Sequence, residues 1–339
     1  MNQNRAARMT DVAKAAGVSA ATVSRVLNGS TTVTPELADR VREAAIATSY
    51  IRNPNGRALR RQRSDTWALI VSDLQNPFFP ALVAAVEHVA VKAGYSVMLC
   101  NTGEDLDREN AYLDTAIAQR MAGVVVSVAS EESSDLTRLR DAGVPTVLVD
   151  RRVHDFAGDS IMLDNVRAGR TAAEHLLELG HRDILCLGGP SGVSTTADRL
   201  EGVVQGYERF AVPFNRPRQV RTDVRPAEVE ELVATEVASK HPPDAIFALN
   251  GRLTTGAYRA LQASGLKLPD DISLVGFDDD PWTRMVTPAV TLISQPVIEM
   301  GERAAECLLA RAGSASTTAT HLMLTPRLEV RGSTAPKDR

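Results

Sequence analysis

The sequence has three cysteines, no apolar stretch near the ~20 residues that span a bilayer, and no familiar catalytic signature. Cys100, Cys186 and Cys307 lie far apart, each in an apolar run and without metal-ligand spacing, which reads as buried reduced thiols and excludes a disulfide framework or a metal centre. The opening MNQNRAARMT lacks the apolar segment of a secretory signal, so a cytoplasmic protein with no membrane partner is expected. A Walker-type phosphate loop, a GxGxxG after the first strand, HExxH and GxSxG are all missing, and His154, His175, His181, His241 and His321 are scattered. Those absences argue against an enzyme and give no reason to expect a cofactor. No fixed-period repeat occurs, and no heptad tract follows residue 330, which speaks against a solenoid and against a tetramerising coiled coil.

What is present divides unevenly along the 339 residues, a length that suits two or three folded units. Hydrophobic residues make up 44% and charged residues 24%, as in an ordinary globular protein. Residues 1–63 hold eleven Lys and Arg against four Asp and Glu, a charge of +7, and residues 64–339 hold 27 against 38, a charge of −11. A small basic head on a large acidic body points to a polyanion-binding module attached to a part that does not bind polyanions.

In TDVAKAAGVSAATVSRVLNG, Thr10 is placed to cap a first helix with Asp11 in its first turn, and Val12 and Ala16 repeat at helical spacing. Gly17 ends that helix, and Ser19 caps a second in which Val23, Val26 and Leu27 form one apolar stripe. Thr34 and Pro35 open a third, whose buried face comes from Leu37, Val41, Ala44 and Ala45. Two helices meeting at a glycine corner, with a third packed against them, make the layout of a helix-turn-helix DNA reader. On the outer side of the second helix, Ala20 and Ala21 allow close approach to base edges, and Arg25 suits a bidentate contact with guanine. Ser19, Thr22, Ser24 and Asn28 offer polar groups to phosphates, which set register without reading sequence. In the linker NPNGRALRRQR, Asn53 and Pro54 start a helix too short to be stable alone.

The body alternates strand-length apolar runs (67–72, 95–100, 123–128, 146–150, 184–189, 245–249 and 271–277) with amphipathic helical stretches (79–93, 107–120, 165–180, 198–211, 226–239 and 252–264). Alternation of this kind builds parallel βαβ units, and its length exceeds one comfortable core, so two α/β lobes are expected. Ligands of such sheets bind beyond the carboxyl ends of the strands. There the sequence places Asp73, Asn76, Phe78, Phe79, Asp150, Arg151, Arg199, Asn250, Asp278, Asp279 and Trp282. Charged, amide and aromatic groups together suit a polyhydroxylated ligand, whose hydroxyl pairs take bidentate bonds while an aromatic face covers its C–H side. Each residue also admits a structural reading: Asp150 in a turn, Phe79 in the core, Trp282 on an interlobe surface.

The segments DVAKAAGVSAATVSRVLNG and TPELADRVREAAIATSYI, with SDLQNPFF, the LVD at 148–150, LLELGHRDILCLGG, ADRLEG, DISLVGFDD and TLISQP, resemble the LacI/GalR family of transcriptional regulators over nearly the whole chain. The resemblance implies an all-α helix-turn-helix head at 1–50, a hinge helix at 51–63, a two-lobed α/β core like periplasmic sugar-binding proteins at 64–330, and leaves 331–339 as a flexible tail. It implies a homodimeric repressor that binds a palindromic operator under control of a small carbohydrate effector. The alternatives are a non-sugar or phosphorylated metabolite, or action as an activator or with a corepressor. Arg57 and Leu59 match the hinge helix, with Leu59 the apolar wedge of the minor groove. Asp278 and Arg199 match effector-binding residues, Phe79 an aromatic of the cleft wall, and Asn250 the asparagine of an Asn-Asp pair. Thr195 lies on the same loop as Val193, whose apolar character favours sugar over purine. Two departures stand out: Gly56 and the late Pro54 weaken the hinge helix, and Gly251 followed by Arg252 replaces the expected aspartate, which would suit a ligand without the hydroxyl pattern usual for this site or a more acidic one.

Overall fold

The computed structural model describes residues 7–27, 33–50, 63–190, 192–212, 218–221, 226–313 and 318–337. The expected contacts of Asn28, Arg57 and Leu59 lie outside that set. The chain divides into two units, Met1–Ser64 and Asp65–Arg339.

The head consists of α1 (Met9–Ala16), α2 (Ala20–Leu27) and α3 (Pro35–Ala47). Arg8, not the expected Thr10, holds the N-cap position of α1, and Asp11 accepts a bond from the Arg8 backbone N–H at 2.8 Å. Gly17 adopts φ +66°, which only glycine takes without strain, and turns the chain into α2. Ser19 Oγ accepts from the Thr22 N–H at 3.1 Å, the expected N-cap. Thr34 holds the N-cap position of α3 but makes no side-chain cap bond. Val12, Ala13, Ala16, Val23, Val26, Val41 and Ala44 close one small core.

The second unit contains two sheets of the same design. The first joins β1 (Thr66–Val71), β2 (Ser96–Asn101), β3 (Gly123–Val126), β4 (Thr146–Val149), β5 (Asp159–Leu163) and β11 (His321–Leu324), all parallel, in the order β11-β5-β4-β3-β1-β2. The second joins β6 (Ile184–Gly188), β7 (Arg218–Arg221), β8 (Ala245–Ala248), β9 (Ser273–Phe277), β10 (Thr291–Ser294) and β12 (Arg327–Glu329), in the order β12-β10-β9-β8-β6-β7, with β12 alone antiparallel. Helices α4 (Phe78–Lys92), α5 (Leu106–Ala118), α6 (Thr137–Asp141) and α12 (Val297–Gly313) belong to the first lobe. Helices α7 (Asn165–Glu178), α8 (Ser194–Arg209), α9 (Pro226–Val237), α10 (Gly251–Ala263) and α11 (Pro281–Met285) belong to the second. The chain crosses between the lobes after β5, after β10 and after β11. In each sheet the strand order reverses beside the first strand, and such a switch point opens a crevice at the carboxyl ends. The buried runs Trp67–Val71 and Leu185–Leu187 are apolar on both faces because helices cover both sides.

Residues 331–337, read from sequence as a flexible tail, are docked on the second lobe. Ser333 is fully buried; its Oγ accepts from the Thr291 N–H at 2.8 Å and donates to the Leu274 carbonyl at 2.6 Å. Lys337 reaches Asp244 at 2.7 Å. The segment caps backbone groups at the edge of β9 and β10 that would otherwise be buried without partners. Ser333→Ala should therefore cost about 1–3 kcal/mol in urea unfolding, the penalty of stranding a buried donor and acceptor. A loose tail would give no change.

Candidate functional site

On α2, Val23 and Val26 face the head core, and Ala20, Ala21 and Arg25 are exposed, with Ser19 exposed just before them. Thr22 and Ser24 are half-buried, and the Thr22 hydroxyl pairs with Ser19 Oγ at 2.9 Å. The side expected to meet base edges is thus the open one.

The second site is a cleft of about 440 Å³ between the lobes. Its walls include Phe79, Arg151, Thr195, Arg199, Asn250 and Asp278, six of the seven residues expected from sequence to hold an effector. Asp150 and Asp278 occupy matching places in the two lobes, each just past a strand end. Their backbone N–H groups donate to Ile161 and Ile293, and both adopt left-handed φ, +68° and +66°. That conformation is uncommon outside glycine and turns the chain sharply as it leaves the sheet. The same device built twice sets two carboxylates on one cleft.

Each charged group is held by named partners. Asp278 accepts from the Gly251 N–H at 3.0 Å and from Gln295 Nε2 at 2.6 Å. Burial raises its carboxyl above the ordinary range against the pull of Arg199. Arg199 donates Nε to Asn165 at 2.8 Å and Nη1 to the Leu249 carbonyl, and its guanidinium lies 3.7 Å over the Phe277 ring. Arg151 grips Glu104 through two bonds of 2.6 and 2.7 Å and donates to the Val128 carbonyl. Burial pushes Asp150 up to about 6, countered by Arg151 and Arg199. Asn250 caps α10 through the Leu253 N–H while lining the cleft. Phe79 packs into the first core and lines the cleft as well, so both readings of it apply.

Trp282 does not join them. It sits on α11 against Tyr258, ring centroids 5.4 Å apart, and is absent from the cleft wall. The rule of strand ends places it near Asp278, but the turn of α11 carries it away. Sequence reasoning missed Glu104, Glu131, Glu132 and Gln295, all in the wall. Glu104 and Glu131 follow β2 and β3, so the same rule applied to those two strands would have found them. Gln295 lies in the second crossing, where no local pattern marks it.

Among the described residues, three polar contacts bridge the cleft between the lobes. Glu131 accepts from the Ser194 N–H at 2.7 Å, at the start of α8. Arg252 meets Asp73 at 2.7 Å, and Arg152 meets Asp198 at 2.8 Å. The charge of Arg252 is therefore answered inside the protein, which removes the reason for expecting a more acidic ligand. Both side chains of the Arg252–Asp73 pair are about three-quarters buried. A double-mutant cycle on Arg252→Ala and Asp73→Ala should show a coupling of about 1 kcal/mol in unfolding free energy, and no coupling would mean that the lobes are not joined there.

A helix-turn-helix head on a two-lobed ligand-binding body defines a class of ligand-responsive DNA-binding protein. Two family models match: residues 8–53 match bacterial regulatory proteins of the lacI family, and residues 64–326 match the periplasmic binding proteins and sugar binding domain of LacI family. The chain is 31% identical to the ribose operon repressor of Escherichia coli (strain K12) over 328 residues, 96% of this chain and 99% of that one. Its structure is similar to the lac repressor dimer bound to operator and the anti-inducer ONPF, with TM-score 0.86 and 26% identity over 98% of this chain and 100% of that one. It is also similar to a LacI family transcriptional regulator from Enterococcus faecium with bound ribose, with TM-score 0.73 and 27% identity over 80% of this chain and all of that one. The protein belongs to the LacI family of DNA-binding transcriptional regulators, a family of regulators and not of enzymes. Among the described residues no helix is long and apolar enough to cross a membrane.

Proposed function

We propose that the protein is a cytoplasmic repressor that binds a palindromic operator as a homodimer and responds to a small carbohydrate. The observation that carries this reading is the convergence of Phe79, Arg199, Asn250 and Asp278 from four separate elements on one cleft. Charged groups of both signs, each braced by a second partner, suit paired hydroxyls, and the phenyl ring suits a sugar's apolar face. The similarity to a ribose-bound structure and to a ribose operon repressor supports it. With Arg252 occupied by Asp73, a neutral ligand is favoured over a phosphorylated one.

Regulation follows from where the ligand sits. A ligand that touches both lobes has different affinities for different lobe arrangements and so shifts their populations, and linkage makes the operator feel the shift. In this reading Arg57 and Leu59 carry the shift to the operator, Leu59 as the apolar wedge of the minor groove. The test is an operator selected from random duplexes, then titrated with the full chain across salt and with sugars added. Affinity should fall steeply with salt, and Arg25→Ala should cost about 1–3 kcal/mol at one base position in each half-site. An equal loss on every sequence would remove Arg25 from base reading, and operator occupancy indifferent to every sugar would reject carbohydrate control.

A further inference from the structure

Strand β11 is the outer strand of the first sheet, and among the described residues no strand lies beyond it. The bonds at its two ends fix which way its backbone faces: the Thr320 carbonyl accepts from the Ser160 N–H at 2.8 Å, and the Leu324 carbonyl from the Asp164 N–H at 2.9 Å. Backbone groups alternate sides along a strand, so Thr320, Leu322 and Leu324 turn theirs towards β5, while His321 and Met323 turn theirs outwards. Proteins usually guard such an edge with charge, proline or a cover. The outer strand β12 of the second sheet carries Arg327 and Glu329, whereas β11 reads HLML and exposes 64% of Met323. A groove of about 440 Å³ runs beside this edge, lined by Ile161 and Leu322 from the sheet and by Cys307 and Ala310 from α12. Its charged groups are paired within the chain. Arg303 bonds to Glu306 at 3.0 Å and lies 3.9 Å from Glu299, and Arg311 takes Asp159 through two bonds of 2.9 Å. The body as a whole carries −11, but here opposite charges nearly cancel, so an identical surface would meet little repulsion.

We propose that this edge docks a second copy of the chain, β11 against β11, as two antiparallel strands. The strand is complementary to itself about Leu322. With a two-fold axis there, His321 of each copy stands opposite Met323 of the other, and these are the residues whose N–H and C=O groups face outwards. Each such pair closes both its hydrogen bonds. On one face the imidazole of His321, whose Nδ1 lies 2.8 Å from Ser160 Oγ, meets the methionine sulfur, a favourable contact. On the other face Leu322 meets its twin where the two apolar grooves join. A four-residue ladder by itself is smaller than the about 1,200 Å² of a stable interface. A symmetric dimer carries the edge twice, however, and two dimers that meet through both copies double the contact. The expected product is a four-chain assembly that forms as concentration rises. That count rests on the homodimer reading above; the strand pairing itself does not.

Sedimentation velocity of the full-length protein should show two chains at low micromolar concentration and four at high. Met323→Lys should hold it at two chains throughout, with operator binding kept, because a charge on the edge opposes pairing. Met323→Pro, which removes an outward N–H and no bond to β5, should do the same. Both variants are checked for folding by circular dichroism. The direct test is a cross-link in the Cys307→Ser background. Leu322→Cys puts one thiol from each copy on the axis, in a pair with Cα atoms about 4.5 Å apart, within disulfide range. It should oxidise to a covalent two-chain product, whereas Met323→Cys, about 8 Å from its twin, should not. Absence of the Leu322→Cys product, equal cross-linking at the two positions, or four chains persisting in both Met323 variants would overturn the proposal and leave the edge to a strand from another protein. Two chains at every concentration together with the Leu322→Cys product would make this edge the dimer contact itself. A single chain throughout, with no cross-link, would remove the dimer reading as well.

Discussion

Gly202→Ala should lower the stability of the two-lobed unit by about 3 kcal/mol or more, an effect at or beyond the upper end for overpacking because the clash is with backbone. Helices α7 and α8 cross at Gly169 and Gly202. A Cβ on Gly202 would lie 2.0 Å from the Val166 carbonyl oxygen and 2.6 Å from the Arg170 nitrogen, and one on Gly169 would lie 1.8 Å from the Arg199 carbonyl oxygen. None of those atoms can rotate aside, so the helices must part. Because α8 carries Thr195 and Arg199 into the cleft, the same change should weaken effector binding. Gly206 provides the comparison: its nearest neighbour, the Ala173 Cβ, is as fixed as backbone but stands 2.8 Å away, so the helices need part less and Gly206→Ala should cost less, about 1–2 kcal/mol. Urea unfolding of both variants decides it. Equal losses below about 1 kcal/mol would show that the close crossing does not exist.

Asp278→Asn should weaken effector binding between about tenfold and a hundredfold, the range set by about 1.5–3 kcal/mol for a hydrogen bond to a charged group. Asparagine keeps the shape of the side chain, and its Oδ1 can still accept from the Gly251 N–H or from Gln295 Nε2. What it removes is the charge facing Arg199, leaving a buried guanidinium with one carboxylate fewer. Arg199→Ala should weaken binding at least as much and also lower stability, because Asn165 Oδ1 and the Leu249 carbonyl lose their donor. Calorimetry with the sugar that binds the wild type measures the first effect, and urea unfolding the second. Unchanged affinity in both variants would place the effector elsewhere.

The head was legible because its signals are local. Ser19 at a cap, Gly17 at a left-handed corner and apolar residues at helical spacing act within one or two turns, and charge counted along the chain needs no fold. The central strands were legible for a related reason: strands buried on both faces read as unbroken apolar runs. Strand β5 was not, because it alternates buried and half-buried residues; β10 is only four residues long, and β11 and β12 follow crossings between lobes that no local pattern announces. The tail was misread because polar, loop-like composition says nothing about a docking partner forty residues away, such as Thr291 for Ser333.

The cleft divides in the same way. Sequence alone determined which residue types stand at strand ends, and so named Phe79, Arg151, Arg199, Asn250 and Asp278 together with the helix expected to meet DNA. Only the tertiary structure decided which charges are already paired and which remain for a ligand. Arg252 and Asp73 are 179 residues apart in the chain, and whether they meet depends on how the two lobes face each other. An arginine read from sequence is a positive charge; one bonded to an aspartate across a cleft is a strut, and the difference arises from Coulomb attraction between partners that only the completed fold brings within 3 Å.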